Sequence, residues 1–211
     1  MKSPDAYNEI AARNVDRLSA LSDGIFAFAM TLLVLDVHVP DVASIHNQGE
    51  LVRALGALGP QLGVCLLTFM TLGIFWVGQQ TMLNKVDHSD RNLTWIHLGF
   101  LALVVAMPFS TAVLTRFIEY PTAVFEYWLN ILLLGSALLT ASYYSLRAGL
   151  LDEHGVAAWP LVLRRVGVSQ AMYAFALLFV FVNTRLAVAL IFLFQLNFVL
   201  APRWTGWLSR V

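Results

Sequence analysis

The sequence predicts an all-α integral membrane protein with six transmembrane helices, and three observations carry that prediction. Of the 211 residues, 59% are hydrophobic and only 12% are charged, about half the charged share of a soluble domain. The apolar residues gather into six blocks, each near the roughly 20 residues that a helix needs to cross about 30 Å of hydrocarbon. Lys and Arg fall overwhelmingly on one side of those blocks.

The predicted spans lie near residues 17–38, 54–79, 93–115, 122–146, 161–182 and 186–203. Short polar connections separate them: "PDVASIHNQGE", "NKVDHSDR", "RFIEYP", "RAGLLDEHGVAAWP" and "NTR". The last is so short that the fifth and sixth spans must be antiparallel neighbours. Residues 1–211 are therefore read as a single transmembrane domain. No short hydrophobic segment with a small-residue cleavage site precedes the first span, which is expected to be retained rather than cleaved.

With the N-terminus inside, the inner segments hold ten cations: Lys2, Arg13, Arg17, Lys85, Arg91, Arg147, Arg164, Arg165, Arg203 and Arg210. The outer segments hold three, Arg53, Arg116 and Arg185. This bias places both termini in the cytoplasm. A net charge of zero gives no sign of a nucleic-acid partner, and the single Cys65 can close no intrachain disulfide.

The first span, "RLSALSDGIFAFAMTLLVLDVHVP", carries acids near both ends. A helix capped by Ser22 and Asp23 would reach His38 in about 22 Å, too short to cross. A start near Arg17 allows about 33 Å and leaves Asp23 inside the helix, where a carboxylate is costly and calls for a partner. An interfacial N-cap is the competing reading of Ser22 and Asp23.

Further along, Gly24, Phe28, Thr31 and Leu35 recur at helical spacing with Leu32 beside them. Such a stripe is commonly a packing face. Arranged around an axis in several copies, it would instead form a narrow hydrophobic tube with a ring of threonine hydroxyls, a constriction able to gate by dewetting.

Arg17, Leu21, Ser22 and Asp23, followed by "GIFAFAMTLLVL", resemble the first-helix signature of the transmembrane protein 175 family, potassium-permeable channels of bacteria, archaea and animal endolysosomes. The family pattern is Arg, three residues, then Phe-Ser-Asp; here Leu21 stands for the Phe. The second span of bacterial members has Trp followed by a His pair, and here Trp76 is followed by Gln79 and Gln80. The third has an aromatic and an Asn, then Pro-Phe; here Trp95, Pro108 and Phe109 are kept and His97 takes the Asn position. The likeness covers about the first half of the chain with motifs and the rest by topology.

The resemblance implies a modestly K⁺-selective channel, with Rb⁺ and Cs⁺ also passing, in a prokaryotic inner membrane. It implies a homotetramer, because the signature occurs once per chain, with the first span of each subunit lining the pore. Phe28, Thr31, Leu32 and Leu35 correspond to the lining residues, Phe28 standing where the family usually has Ile or Leu. It also implies a hydrogen-bond network in which Arg17, Ser22 and Asp23 engage Trp76, Gln79 and His97. No "TVGYG"-like loop occurs, so selectivity has to come from the bore of the tube and from the Thr31 hydroxyls, where permeant K⁺ is expected without a fixed metal site. No cofactor is expected.

Asp36 sits at the outer end, where copies would ring the mouth with negative charge. The alternative is a carboxylate snorkelling to water. His38 and His46 lie close by and could lend conduction a pH dependence. Glu126 reads as a first-turn acid complementing its helix dipole. The pair Arg164–Arg165 reads as an orientation signal, Trp159, Trp204 and Trp207 as interfacial anchors, and Asn183 with Arg185 as a tight outer turn.

Two other functions compete. A proton-permeable channel is a variant of the first reading. A secondary cation transporter requires inverted repeats with broken midplane helices; Gly56 to Pro60 is the nearest interruption, and it lies close to the interface. An enzyme is not expected, because His97, Asp23 and Gln79 lack a second acid or a thiol.

Overall fold

The computed structural model describes residues 15–41 and 45–200. Lys2, Arg13, Arg203, Arg210, Trp204 and Trp207, and the end of the sixth predicted span, lie outside these. Among the described residues seven α-helices follow in order: α1 Val15–Leu32, α2 Gln48–Ala57, α3 Gly59–Leu83, α4 Arg91–Arg116, α5 Pro121–Arg147, α6 Glu153–Leu177 and α7 Thr184–Leu200. Short 3₁₀ turns extend α1 over Leu33–Asp36 and α6 over Leu178–Phe181. Among the described residues, five helical stretches are long and apolar enough to cross a membrane, and α7 is a shorter apolar helix.

Each predicted span lies on a helix, but three boundaries move. The first α-helix ends at Leu32 and tightens into 3₁₀ geometry before Val37. The second predicted span is divided. Its first residues belong to the separate helix α2, which Asn47 caps by accepting from the Glu50 amide at 3.0 Å, while the Glu50 carboxylate accepts from His46 N at 2.7 Å. This is a variant of the capping box over "HNQGE", in which the carboxylate reaches one residue beyond the N-cap to the His46 amide. The spanning helix α3 starts afresh at Gly59 with Pro60 in its opening turn, where the missing N–H costs nothing. The fifth predicted span starts earlier than expected. Asp152 caps α6 by accepting from Gly155 N at 2.6 Å, and the helix runs through Pro160.

The loops between α3 and α4 and between α5 and α6 meet in an antiparallel bridge at Val86 and Leu151, with Asp87 N donating to Leu150 O and Asp152 N to Lys85 O. Gly149, at φ +68°, lets α5 turn into that bridge, since the left-handed region is open to glycine without strain. Lys85, Arg91 and Arg147 therefore share one end of the bundle, and Arg116 with the Glu119–Arg185 ion pair marks the other.

The core is continuous through the bundle, with Phe26 of α1 packed on Phe100 of α4 at a ring separation of 6.0 Å and Phe75 of α3 at 6.4 Å from the same ring. Polar clusters lie inside it as well. Tyr127 OH meets Thr68 and Thr71, Thr111 donates to Thr68, and Gln195 donates to Thr71, joining α3, α4, α5 and α7. Glu126 is corrected by the structure: it lies beyond the first turn of α5 and accepts from Ser110 of α4 at 2.8 Å, with Asn130 donating to the same serine. Its place is set by a neighbouring helix rather than by its own helix dipole.

Candidate functional site

Helix α1 has two faces of opposite fate. Leu18, Ser22, Phe26 and Ala29, followed by Leu33 in the 3₁₀ turn, are buried against α3 and α4. Gly24, Phe28, Thr31 and Leu35 look away, and Phe28 and Leu35 are 64% and 72% exposed. Thr31 Oγ1 donates to Phe28 O at 2.8 Å, so its proton is committed to its own helix and the lone pairs of the oxygen are left on the open side. Leu32 is half-buried at the edge of the stripe.

The helix starts by Val15 and runs past Asp23 without a break. The N-cap reading of Asp23 is thereby overturned: the aspartate is an in-helix residue with partners on α3. Its Oδ1 accepts from Trp76 Nε1 at 2.8 Å and from Gln80 Nε2 at 2.5 Å. Gln80 Oε1 in turn accepts from Ser19 Oγ at 3.0 Å, so one amide bridges two turns of α1. Two donors on one carboxylate oxygen make charge-assisted bonds, stronger than neutral ones.

One residue earlier, Ser22 turns inward and is fully buried. Its Oγ donates to Leu18 O at 2.9 Å, accepts from Gln79 Nε2 at 2.9 Å, and lies 3.1 Å from His97 Nε2. Gln79 Nε2 is also 2.8 Å from His97 Nε2. An amide nitrogen only donates, so His97 accepts at Nε2 and carries its proton on Nδ1. Ser22, Gln79 and His97 thus close a small triangle linking α1, α3 and α4.

The expected network therefore divides into two layers, one buried and one exposed. Ser19 and Gln80 were not among the expected members. The signal was present in the spacing, since Trp76 and Gln80 are one turn apart on a single helix face, as are Ser19 and Asp23. Arg17 is exposed in the first turn of α1, and the two layers lie C-terminal to it. Of the other motif residues, Trp95 and Phe109 are 63% and 67% exposed on α4.

At the far end, Asp36 is half-buried and its Oδ1 lies 3.8 Å from Arg116 Nη2 at the end of α4, while His38 Nδ1 meets Asp36 O at 2.9 Å. Its charge thus has a cation beside it that sequence reasoning assigned only to the outer loop.

Residues 17–108 match the family model described as endosomal/lysosomal potassium channel TMEM175. A potassium channel of Streptomyces collinus is 38% identical over 103 residues, covering 49% of this chain and 48% of that protein. The mouse endosomal/lysosomal proton channel TMEM175 is 32% identical over 50% of this chain and 22% of its own length. The chain thus spans about half the length, or less, of the curated relatives it matches. The crystal structure of a lysosomal potassium-selective channel TMEM175 homolog from Chamaesiphon minutus superimposes with a TM-score of 0.74 at 25% identity, over 89% of this chain and 97% of that one.

Proposed function

Residues 17–108 match the TMEM175 family model, and from that likeness we propose that the chain belongs to this family and is a passive cation channel, modestly selective for K⁺, whose pore is lined by α1 from four copies. The observation that carries the reading is the division of α1. One face is locked to α3 and α4 by Ser22, Asp23 and the buried apolar residues, while Gly24, Phe28, Thr31 and Leu35 have no covering element among the described residues.

In this arrangement Phe28 and Leu35 form apolar rings that shut the throat by excluding water, and Thr31 presents oxygen lone pairs between them. The Thr31 oxygens return part of the hydration that K⁺, Rb⁺ and Cs⁺ give up, but too little for the more strongly hydrated Na⁺, which the narrow throat therefore passes less readily. Asp36 contributes a ring at the outer mouth, weakened by the adjacent Arg116. The end of the bundle holding Lys85, Arg91 and Arg147 faces the cytoplasm of a prokaryotic cell, by the positive-inside bias.

Purified protein in liposomes with opposing K⁺ and Na⁺ gradients tests the reading. The expected result is a current reversing toward the K⁺ equilibrium potential. An impermeable liposome, or flux that saturates at carrier rates, overturns it. A proton-conducting reading is kept because relatives from several vertebrates are named proton channels; a pH gradient without K⁺ separates the two.

A further inference from the structure

At the end of the bundle marked by the Val86–Leu151 bridge, a cavity of about 120 Å³ opens between α3, α5, α6 and α7. Its shaft is apolar, formed by residues such as Phe75, Leu138, Val162 and Phe198. The hydroxyl protons along it are committed to the helices that carry them. Thr71, Thr81, Ser142 and Ser169 each donate to a carbonyl of their own helix, at 2.7 to 2.9 Å. Lys85 and Arg165 belong to the same lining, together with Trp159. Among the described residues neither cation has an acidic partner.

Two cations outside any ion pair of the described residues, on a largely apolar shaft, match one chemistry: an anionic head group joined to an acyl chain. We propose that this cavity is a binding site for an anionic phospholipid of the surrounding bilayer, its head group held by Lys85 and Arg165 and part of one acyl chain entering the shaft past Trp159. Basic pockets between transmembrane helices on the cytoplasmic side have this recognition logic. A zwitterionic lipid places its own ammonium beside the two cations and gains little. The proposal does not depend on ion conduction.

Trp159 gives a direct readout, because bromine on an acyl chain quenches a tryptophan only at contact. The full chain is reconstituted with phosphatidylglycerol or phosphatidylcholine carrying brominated acyl chains, at increasing mole fraction, and the Trp159→Phe protein supplies the background. Trp159 is expected to be quenched by brominated phosphatidylglycerol at much lower mole fraction than by the choline lipid. Each cation is expected to contribute roughly fivefold to that preference. Lys85→Gln and Arg165→Gln each lower the preference by about that factor, whereas Arg91→Gln, outside the cavity, leaves it unchanged. Equal quenching by the two lipids overturns the proposal, as does no quenching by either, which places the protein's own C-terminal segment or another chain in the cavity. A preference unmoved by both Lys85→Gln and Arg165→Gln also overturns it.

Discussion

The indole nitrogen of Trp76 donates to Oδ1 of Asp23 at 2.8 Å, and this contact fixes the rotation of α1 about its own axis. Asp23 stands on the shoulder of the helix, between the buried Ser22 face and the open Phe28 face. With Gln80 bonded to the same oxygen, turning α1 by one residue breaks both bonds and buries the wrong stripe. The signature therefore acts by aiming a helix.

Asp23→Ala is expected to lower the thermal stability of the protein in detergent and to weaken its assembly, with Asp23→Asn less severe because one acceptor oxygen survives. Trp76→Phe keeps an aromatic ring and loses the indole donor to Asp23. Combined with Asp23→Ala it should add little to the single loss, since both remove the same bond. Strictly additive effects, or an Asp23→Ala protein with wild-type melting and assembly, count against the clamp.

The buried triangle should be more expensive to break. Gln79→Leu takes the amide donor away from the inward-facing ring nitrogen of His97 and from Ser22, and an unsatisfied buried polar group costs about 1–3 kcal/mol. Ser22→Ala leaves Gln79 and His97 bonded to each other and should cost less, about 0.5–1.5 kcal/mol. Equilibrium unfolding in mixed micelles measures both. A Ser22→Ala protein less stable than Gln79→Leu contradicts the assigned bonds.

Phe28→Ala separates a pore role from a packing role. The side chain is 64% exposed in the single chain, so its loss should move stability by no more than about 0.5 kcal/mol. Single-channel conductance should rise, because the proposed apolar ring widens and wets. Unchanged currents remove Phe28 from the throat.

Thr31→Val keeps the shape of the side chain and removes the oxygen. Reversal potentials under bi-ionic K⁺ and Na⁺ are expected to shift toward zero, with conductance reduced. A Thr31→Val channel as selective as the parent assigns selectivity elsewhere.

At the proposed outer mouth, Arg116→Gln releases Asp36 from its neighbour and should raise inward cation conductance at low salt, while Asp36→Asn lowers it. Both effects should vanish near 1 M salt, where the screening length falls to about 3 Å. If the two substitutions change current in the same direction, Asp36 acts only as an ion-pair partner.

Membrane class, the approximate places of the helices and the residues of the signature were legible in the sequence, because hydrocarbon demands long apolar runs and each departure from apolarity stands out. Ser22, Asp23, Trp76, Gln79 and His97 could be named as partners only through their likeness to a known motif. Periodicity alone left Asp23 open between a cap and a clamp. The cap formed by Asn47 and Glu50 was written in the sequence but obscured by the apolar run that follows it.

What the sequence determined by itself is which residues must leave water and how far apart they recur along a helix, both being local consequences of composition and of the 3.6-residue turn. Only the tertiary structure decided which stripe of α1 is covered, that Gln80 rather than Gln79 reaches Asp23, that Arg116 stands beside Asp36, and that Ser110 holds Glu126. Those facts depend on the rotation and depth of neighbouring helices. Any one helix can present several faces at equal cost in lipid, and the choice is made only when polar groups on adjacent helices meet.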